Sequence, residues 1–271
     1  MRTSLYVLLL LLAAPAWADD WKLVWSDEFE KAGAPDPEKW NYELGFVRNN
    51  EAQYYTRDRR ENARVENGML VIEARKERLD LPASGPGTGK KGAKAINYTS
   101  ASLITRGKAS WTYGRIEVRA KLPTGRGTWP AIWMLGVSGG WPAGGEIDIM
   151  ENVGFDPDAI HANVHTKKYN HVMRTNKGAK ITVAKPYEDF HVYAVEWHPD
   201  HMDFFVDKNK YFTFKNEGTG ADAWPFDKPE YLILNIAIGG AWGGQKGIDD
   251  SIFPQKMHVD YVRVYQKAAA K

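Results

Sequence analysis

The chain contains no cysteine, so no disulfide framework braces it. It also lacks an apolar run long enough to cross a membrane. The longest, Leu5 to Ala14, is about ten residues, half of what a spanning helix needs. A charge of one sign is missing as well. Its 36 basic and 34 acidic side chains are interspersed and leave a formal +2, which gives no electrostatic footprint for nucleic acid or an anionic membrane surface. No segment after the N-terminal run keeps an apolar period of three to four over a dozen residues, which argues against helical architecture. There is no His/Cys cluster with zinc spacing, no glycine-rich strand-to-helix loop for phosphate, and no Gly-x-Ser-x-Gly elbow. A neutral polymer is the easiest partner for such a surface.

What is present begins with a three-part N-terminus: a basic Arg2, the apolar run, and the small-residue ending Ala16-Trp17-Ala18. That pattern predicts a signal peptide over residues 1–18, removed in a secreted protein of the periplasm or the extracellular space. Residues 19–271 are expected to form one catalytic domain. At this length about 75% of chain surface can be buried, so a core can form without disulfides.

Short runs with strand patterning recur throughout. Arg115 to Leu122 alternates polar and apolar without a break, the period of a strand with one buried face. Similar runs lie at Met69 to Ala74, Ala101 to Thr105, His191 to His198, Met202 to Val206, Tyr231 to Ala237 and Met257 to Tyr265, each bounded by Gly, Pro, Asn or Asp. Two-layer antiparallel β architecture follows, a sandwich of curved sheets. Pro82 to Lys94, rich in Gly, Pro and Lys, reads as an exposed loop. Aromatic content stands out, with 11 Trp and 13 Tyr. Most such rings fill cores and cross-strand pairs, and those beside glycines or acids are the ones to consider for sugar stacking.

Gly144-Gly145-Glu146-Ile147-Asp148-Ile149-Met150-Glu151 places three acids within six residues of an otherwise strand-like segment. Residues two apart share a sheet face, so Glu146 and Asp148 point together while Glu151, five positions from Glu146, would point away. A single bulge in which Ile149 and Met150 oppose one partner residue restores Glu151 to the same face. Glu146 and Glu151 then stand four strand steps apart, roughly 13 Å between Cα atoms. Inward side chains on a concave sheet can close much of that toward the ~5 to 5.5 Å of a retaining glycosidase, although the spacing does not exclude the wider inverting arrangement. Acids so close cannot all ionise, so their pKa values should be pushed apart. Asp148, between the other two, is placed to hydrogen-bond Glu146. A bare Glu-x-Asp pair is more often a solvated edge or a cation site; here Gly144-Gly145 allow close ligand approach, while Ile147, Ile149 and Val153 bury the other face.

Glu146-Ile147-Asp148-Ile149-Met150-Glu151 resembles the signature of glycoside hydrolase family 16, in the longer form of its laminarinases. The resemblance runs from Trp25-Ser26-Asp27-Glu28-Phe29 through Trp40-Asn41-Tyr42-Glu43 to Val259-Asp260-Tyr261-Val262-Arg263-Val264-Tyr265. It implies an all-β jelly-roll sandwich of the concanavalin A-like kind with a concave cleft. It also implies a retaining endo-β-1,3-glucanase, with Glu146 as nucleophile, Glu151 as general acid/base and Asp148 as assistant. Laminarin-type β-1,3-glucan is the leading substrate, mixed-linkage glucan a second. A non-catalytic glucan-binding lectin and an agar- or carrageenan-cleaving enzyme are the alternatives.

For substrate contacts the same resemblance implies Asn50 and Glu51 on the glycone side, Trp129 and Trp133 before the catalytic strand, Trp242 in its glycine-rich loop, His165 near the acid/base, and Arg106 reaching a sugar hydroxyl. It further implies a structural calcium on the convex side, held by Asp260 and carbonyls near Glu28 and Gly68, hard oxygen ligands of the kind calcium takes. No cofactor is expected for catalysis, and a monomer is expected.

Overall fold

The computed structural model describes residues 21–80 and 95–267. The expected signal peptide, residues 1–18, and the whole Gly/Pro/Lys loop, residues 82–94, lie outside these residues. The strands are β1 (Trp21–Asp27), β2 (Asn41–Tyr42), β3 (Tyr54–Tyr55), β4 (Ala63–Glu66), β5 (Met69–Leu79), β6 (Ile96–Ser100), β7 (Ser102–Ile104), β8 (Gly114–Lys121) and β9 (Thr128–Gly136). They continue with β10 (Glu146–Val153), β11 (Asp156–His165), β12 (Lys177–Thr182), β13 (His191–Trp197), β14 (His201–Val206), β15 (Asn209–Lys215), β16 (Glu230–Ile238) and β17 (Gln255–Lys267). A four-residue helix α1 (Gly240–Gly243) follows β16.

One sheet runs β15-β14-β13-β8-β17-β5-β6-β3, with β1 added on β17 and β4 on β5; the other runs β12-β11-β10-β9-β16-β7-β2. All pairs are antiparallel except β3 with β6. This is the jelly-roll sandwich that the sequence pattern implies.

The alternation in β8 buries Ile116, Val118 and Ala120 completely between the sheets. Its other face carries Arg115, whose guanidinium bonds Glu117 at 3.0 Å and Glu196 on β13 at 2.9 Å. From the second sheet Ile132, Met134, Ile147, Ile160, Leu232 and Leu234 meet them in the same core. Each such side chain contributes about 1.5–3 kcal/mol on burial.

Every strand read from the sequence is present, most with an extension of one to five residues. The strands not read are mainly edge and polar ones. β12 is exposed or half-buried along its whole length and carries two lysines, the charge pattern that protects a sheet edge and hides its strand signal.

The decisive local feature is in β10. Asp148 pairs with Trp133 and Met150 with Ile132, so Ile149 has no partner on β9; on β11, Asp148 pairs with Asn163 and Glu151 with His161, so two residues face the single position between. Ile149 and Met150 both point into the core and are fully buried. The bulge expected from spacing alone is therefore there. Removing Met150 leaves Glu-Ile-Asp-Ile-Glu, a regular alternation that keeps each remaining side chain on its face. The deletion variant should fold, losing about 2–5 kcal/mol for one buried methionine. Urea unfolding measures this, and a chain that failed to fold would show the extra residue to be needed for register.

Candidate active site

The register of the second sheet stacks its cleft-facing side chains in rows. Asn41, Ile104, Ile233, Trp133, Asp148 and Asn163 form one row across six strands. Tyr231, Leu135, Glu146 and His165 form another, and Asn235, Ala131, Glu151 and His161 a third. All three acids thus face a cleft of about 700 Å3.

Glu151 is the best supplied with donors. Trp129 Nε1 donates to its Oε1 at 3.1 Å and Asn163 Nδ2 to its Oε2 at 3.0 Å. Glu146 and Asp148 instead face His165, whose Nε2 stands 3.7 Å from Glu146 Oε1 and 3.3 Å from Asp148 Oδ2. These three groups present ligand atoms within 4.8 Å of one another, close enough for a cation.

Burial is the largest influence on all three acids and raises each above the ordinary carboxylate range. For Glu146 the repulsion of Asp148 adds to it, and for Asp148 that of Glu151. For Glu151 the rise is opposed by His165 and by the bonds from Asn163 and Trp129. Asp148 stands between the other two and couples to both, by repulsion with Glu151 and by a side-chain hydrogen bond with Glu146.

Aromatic rings line the rest. Trp129 meets Trp242 edge-on at 5.6 Å, and Trp242 meets His161 at 4.9 Å, making a wall beside Glu151. Trp133 is nearly buried in the cleft floor; its Nε1 donates to Asn235 Oδ1 at 2.8 Å and Arg48 lies over its ring at 4.8 Å. Trp242 is half-buried on α1 rather than free in a loop. Across the cleft, Trp141 is 42% exposed and contacts His171 at 5.1 Å.

Glu51 lines the cleft but is only 6% exposed, its carboxylate taken up by Gln53 Nε2 at 2.7 Å and Asn49 Nδ2 at 3.2 Å. Asn49 and Asn50 both adopt positive φ, and this turn folds the amide of Asn49 back onto Glu51. Asn49 lines the cleft, whereas Asn50 is exposed and is not among the lining residues. His165 is cross-strand from Glu146 and also bears electrostatically on Glu151. Arg106 lies outside the cleft lining, in a second hollow at the β2–β7 edge, with its guanidinium 5.5 Å from the Tyr231 ring. Sequence reading passed over Arg48, Asn163, Asn235, Trp141 and His161; cross-strand register, invisible in one sequence, brings Asn163, His161 and Asn235 to the cleft, and loops bring Arg48 and Trp141.

The three residues tied to calcium do converge, on the other sheet. β17 changes partners from β5 to β1 around Asp260, so Gly68, just before β5, and Glu28, just after β1, flank it. Arg119 Nη1 donates to Asp260 Oδ2 at 2.6 Å, and Arg263 grips both oxygens of Glu28 at 3.0 and 2.8 Å. An ion there would draw on carbonyls and the remaining Asp260 oxygen, a hard donor set that fits calcium.

The chain belongs to glycoside hydrolase family 16. The model of that family, glycosyl hydrolases family 16, matches residues 50–263. A β-glucanase of Rhodothermus marinus is 52% identical over 98% of this chain and 95% of its own. The crystal structure of the laminarinase from Rhodothermus marinus superposes with a TM-score of 0.84 at 53% identity, covering 92% of this chain and 98% of that one. A non-specific endo-β-1,3(4)-glucanase of the same family superposes with a TM-score of 0.85 at 54% identity, covering 92% of each chain. The three acids, the cleft and the family together make this protein a glycoside hydrolase.

Proposed function

We propose that the protein is a secreted, retaining endo-glycosidase that hydrolyses β-1,3-glucan of the laminarin type, with mixed-linkage β-1,3-1,4-glucan as a second substrate. The observation that carries this reading is the bulge at Ile149, which sets Glu146, Asp148 and Glu151 on one face of a cleft walled by tryptophans. The substrate class is supported by the relatives of known activity, and export by the N-terminal pattern of Arg2, Leu5 to Ala14 and Ala16-Trp17-Ala18.

In the proposed reaction Glu151 protonates the glycosidic oxygen as Glu146 attacks the anomeric carbon, forming a glycosyl ester. Glu151 then removes a proton from water, which releases the sugar. Asp148, hydrogen-bonded to Glu146, moderates the charge of that carboxylate as the ester forms and breaks. Trp129 and Asn163 aim the Glu151 carboxyl. Trp129, Trp242 and Trp133 offer faces and edges to sugar rings, and Trp141 marks the opposite rim.

We also propose that calcium binds at Asp260, Glu28 and Gly68 and braces the junction of β1, β5 and β17. A chelator should lower the melting temperature and excess calcium restore it, and an unchanged melting temperature would remove the ion from the account.

The function is tested with purified protein on linear β-1,3-glucan, mixed-linkage glucan, agarose and carrageenan, followed by chromatography of the products. Short β-1,3 oligosaccharides are expected from the first, and Glu146→Gln should lower kcat by about 10^2–10^4-fold. A loss below tenfold in that variant would remove Glu146 from the chemistry. Binding of glucan with every polymer left intact would instead identify a lectin.

A further inference from the structure

Asp148 is 2% exposed, and its Oδ2 has no hydrogen-bond partner among the described residues. A buried carboxylate oxygen without a donor is costly. His165, 5% exposed, brings Nε2 to 3.3 Å from that oxygen and to 3.7 Å from Glu146 Oε1. All three residues line the cleft, so the unpartnered oxygen, an imidazole nitrogen and a second carboxylate converge on one point of its floor. Sheet register fixes them there. Glu146 pairs with His165 across β10 and β11, and Asp148 stands two positions along the same face.

The spacing is that of ligands around a small cation. Two ligand atoms at about 2.0–2.1 Å from a tetrahedral ion stand about 3.3–3.4 Å apart. Asp148 and His165 already have that separation, and Glu146, whose side chain is the most exposed of the three, is the arm that has to close in slightly. A positive ion would also relieve the repulsion between Glu146 and Asp148. One imidazole nitrogen and two carboxylate oxygens suit a borderline ion such as Zn2+, whereas Ca2+ takes about six to eight oxygens and Mg2+ an octahedron of oxygens and water. His165 Nδ1 has no partner among the described residues. The acceptor that usually orients a metal-bound imidazole is therefore missing, which costs about 10–100-fold in affinity. Such a site suits a reversible inhibitor, not a resident ion.

We propose that Glu146 Oε1, Asp148 Oδ2 and His165 Nε2 form a site for one Zn2+-class cation, and that the ion inhibits by occupying the place of the reacting sugar. Binding of the ion stands on the geometry of the three ligands; its effect as an inhibitor rests on the proposed role of Glu146.

The experiment is calorimetric titration of the calcium-saturated protein with Zn2+, with Mg2+ as the comparison. One Zn2+ per chain should bind at this site, and Mg2+ should not. His165→Gln and Asp148→Asn should each weaken that binding at least tenfold. In the wild type acting on linear β-1,3-glucan, Zn2+ should raise the apparent KM and leave kcat unchanged. No Zn2+ binding to the wild type would overturn the proposal. So would undiminished binding in either variant, which would place the ion elsewhere, for instance at the stacked rings of His198 and His201 on the other sheet. If neither variant folds, the kinetic pattern decides, and Zn2+ that lowers kcat at unchanged KM would overturn the site. Zn2+ binding that both variants lose, in a protein inactive on every glucan, would uphold the ion site and remove only the reading of Glu146 as nucleophile.

Discussion

The register of β10 against β9 and β11 is the constraint on which the rest of the site depends. A strand has a strict period of two, so one extra residue between Asp148 and Glu151 would send every later side chain to the wrong face. The bulge absorbs that residue by sending both Ile149 and Met150 into the core, where burial stabilises the irregular segment. Apolar packing on one side of the strand thus secures the carboxylate geometry on the other. The neighbouring strands then supply the donors to Glu151, Asn163 from β11 and Trp129 from β9.

Gathering three acids in a cleft works against stability, because burial and repulsion both favour their neutral forms. The protein meets this unevenly. Glu151 receives two side-chain donors, while Glu146 and Asp148 receive an imidazole and each other. That asymmetry gives the three carboxyls different surroundings, and groups whose surroundings differ are the ones that can take different roles. Glu51 shows the contrasting treatment. It too is buried at the cleft, but Gln53 and Asn49 hold its oxygens, and Gln53 ties the group to the Ile238 N–H at 2.7 Å. Its geometry is that of a scaffold under the floor.

Local signals were legible in the sequence where one physical rule acted alone. The alternation in Arg115 to Leu122 located β8, and the five-residue offset between Glu146 and Glu151 located the bulge. Edge strands such as β12 were not legible, because solvation on both faces removes the apolar period. Nor were pairwise choices set by tertiary register. That Asn49 lines the cleft beside Asn50, and that His165 pairs across the sheet with Glu146, follow from turn and sheet register that no local signal carries.

The central proposal is that Glu146 attacks the anomeric carbon and forms a covalent glycosyl intermediate, with Glu151 as acid and base. The most direct measurement is proton NMR of the anomeric signal during the first minutes of β-1,3-glucan hydrolysis. The account predicts that the β-anomer appears first and the α-anomer only later, by mutarotation. The α-anomer appearing first would mean that a water attacks between separated carboxylates, and would contradict the site as described.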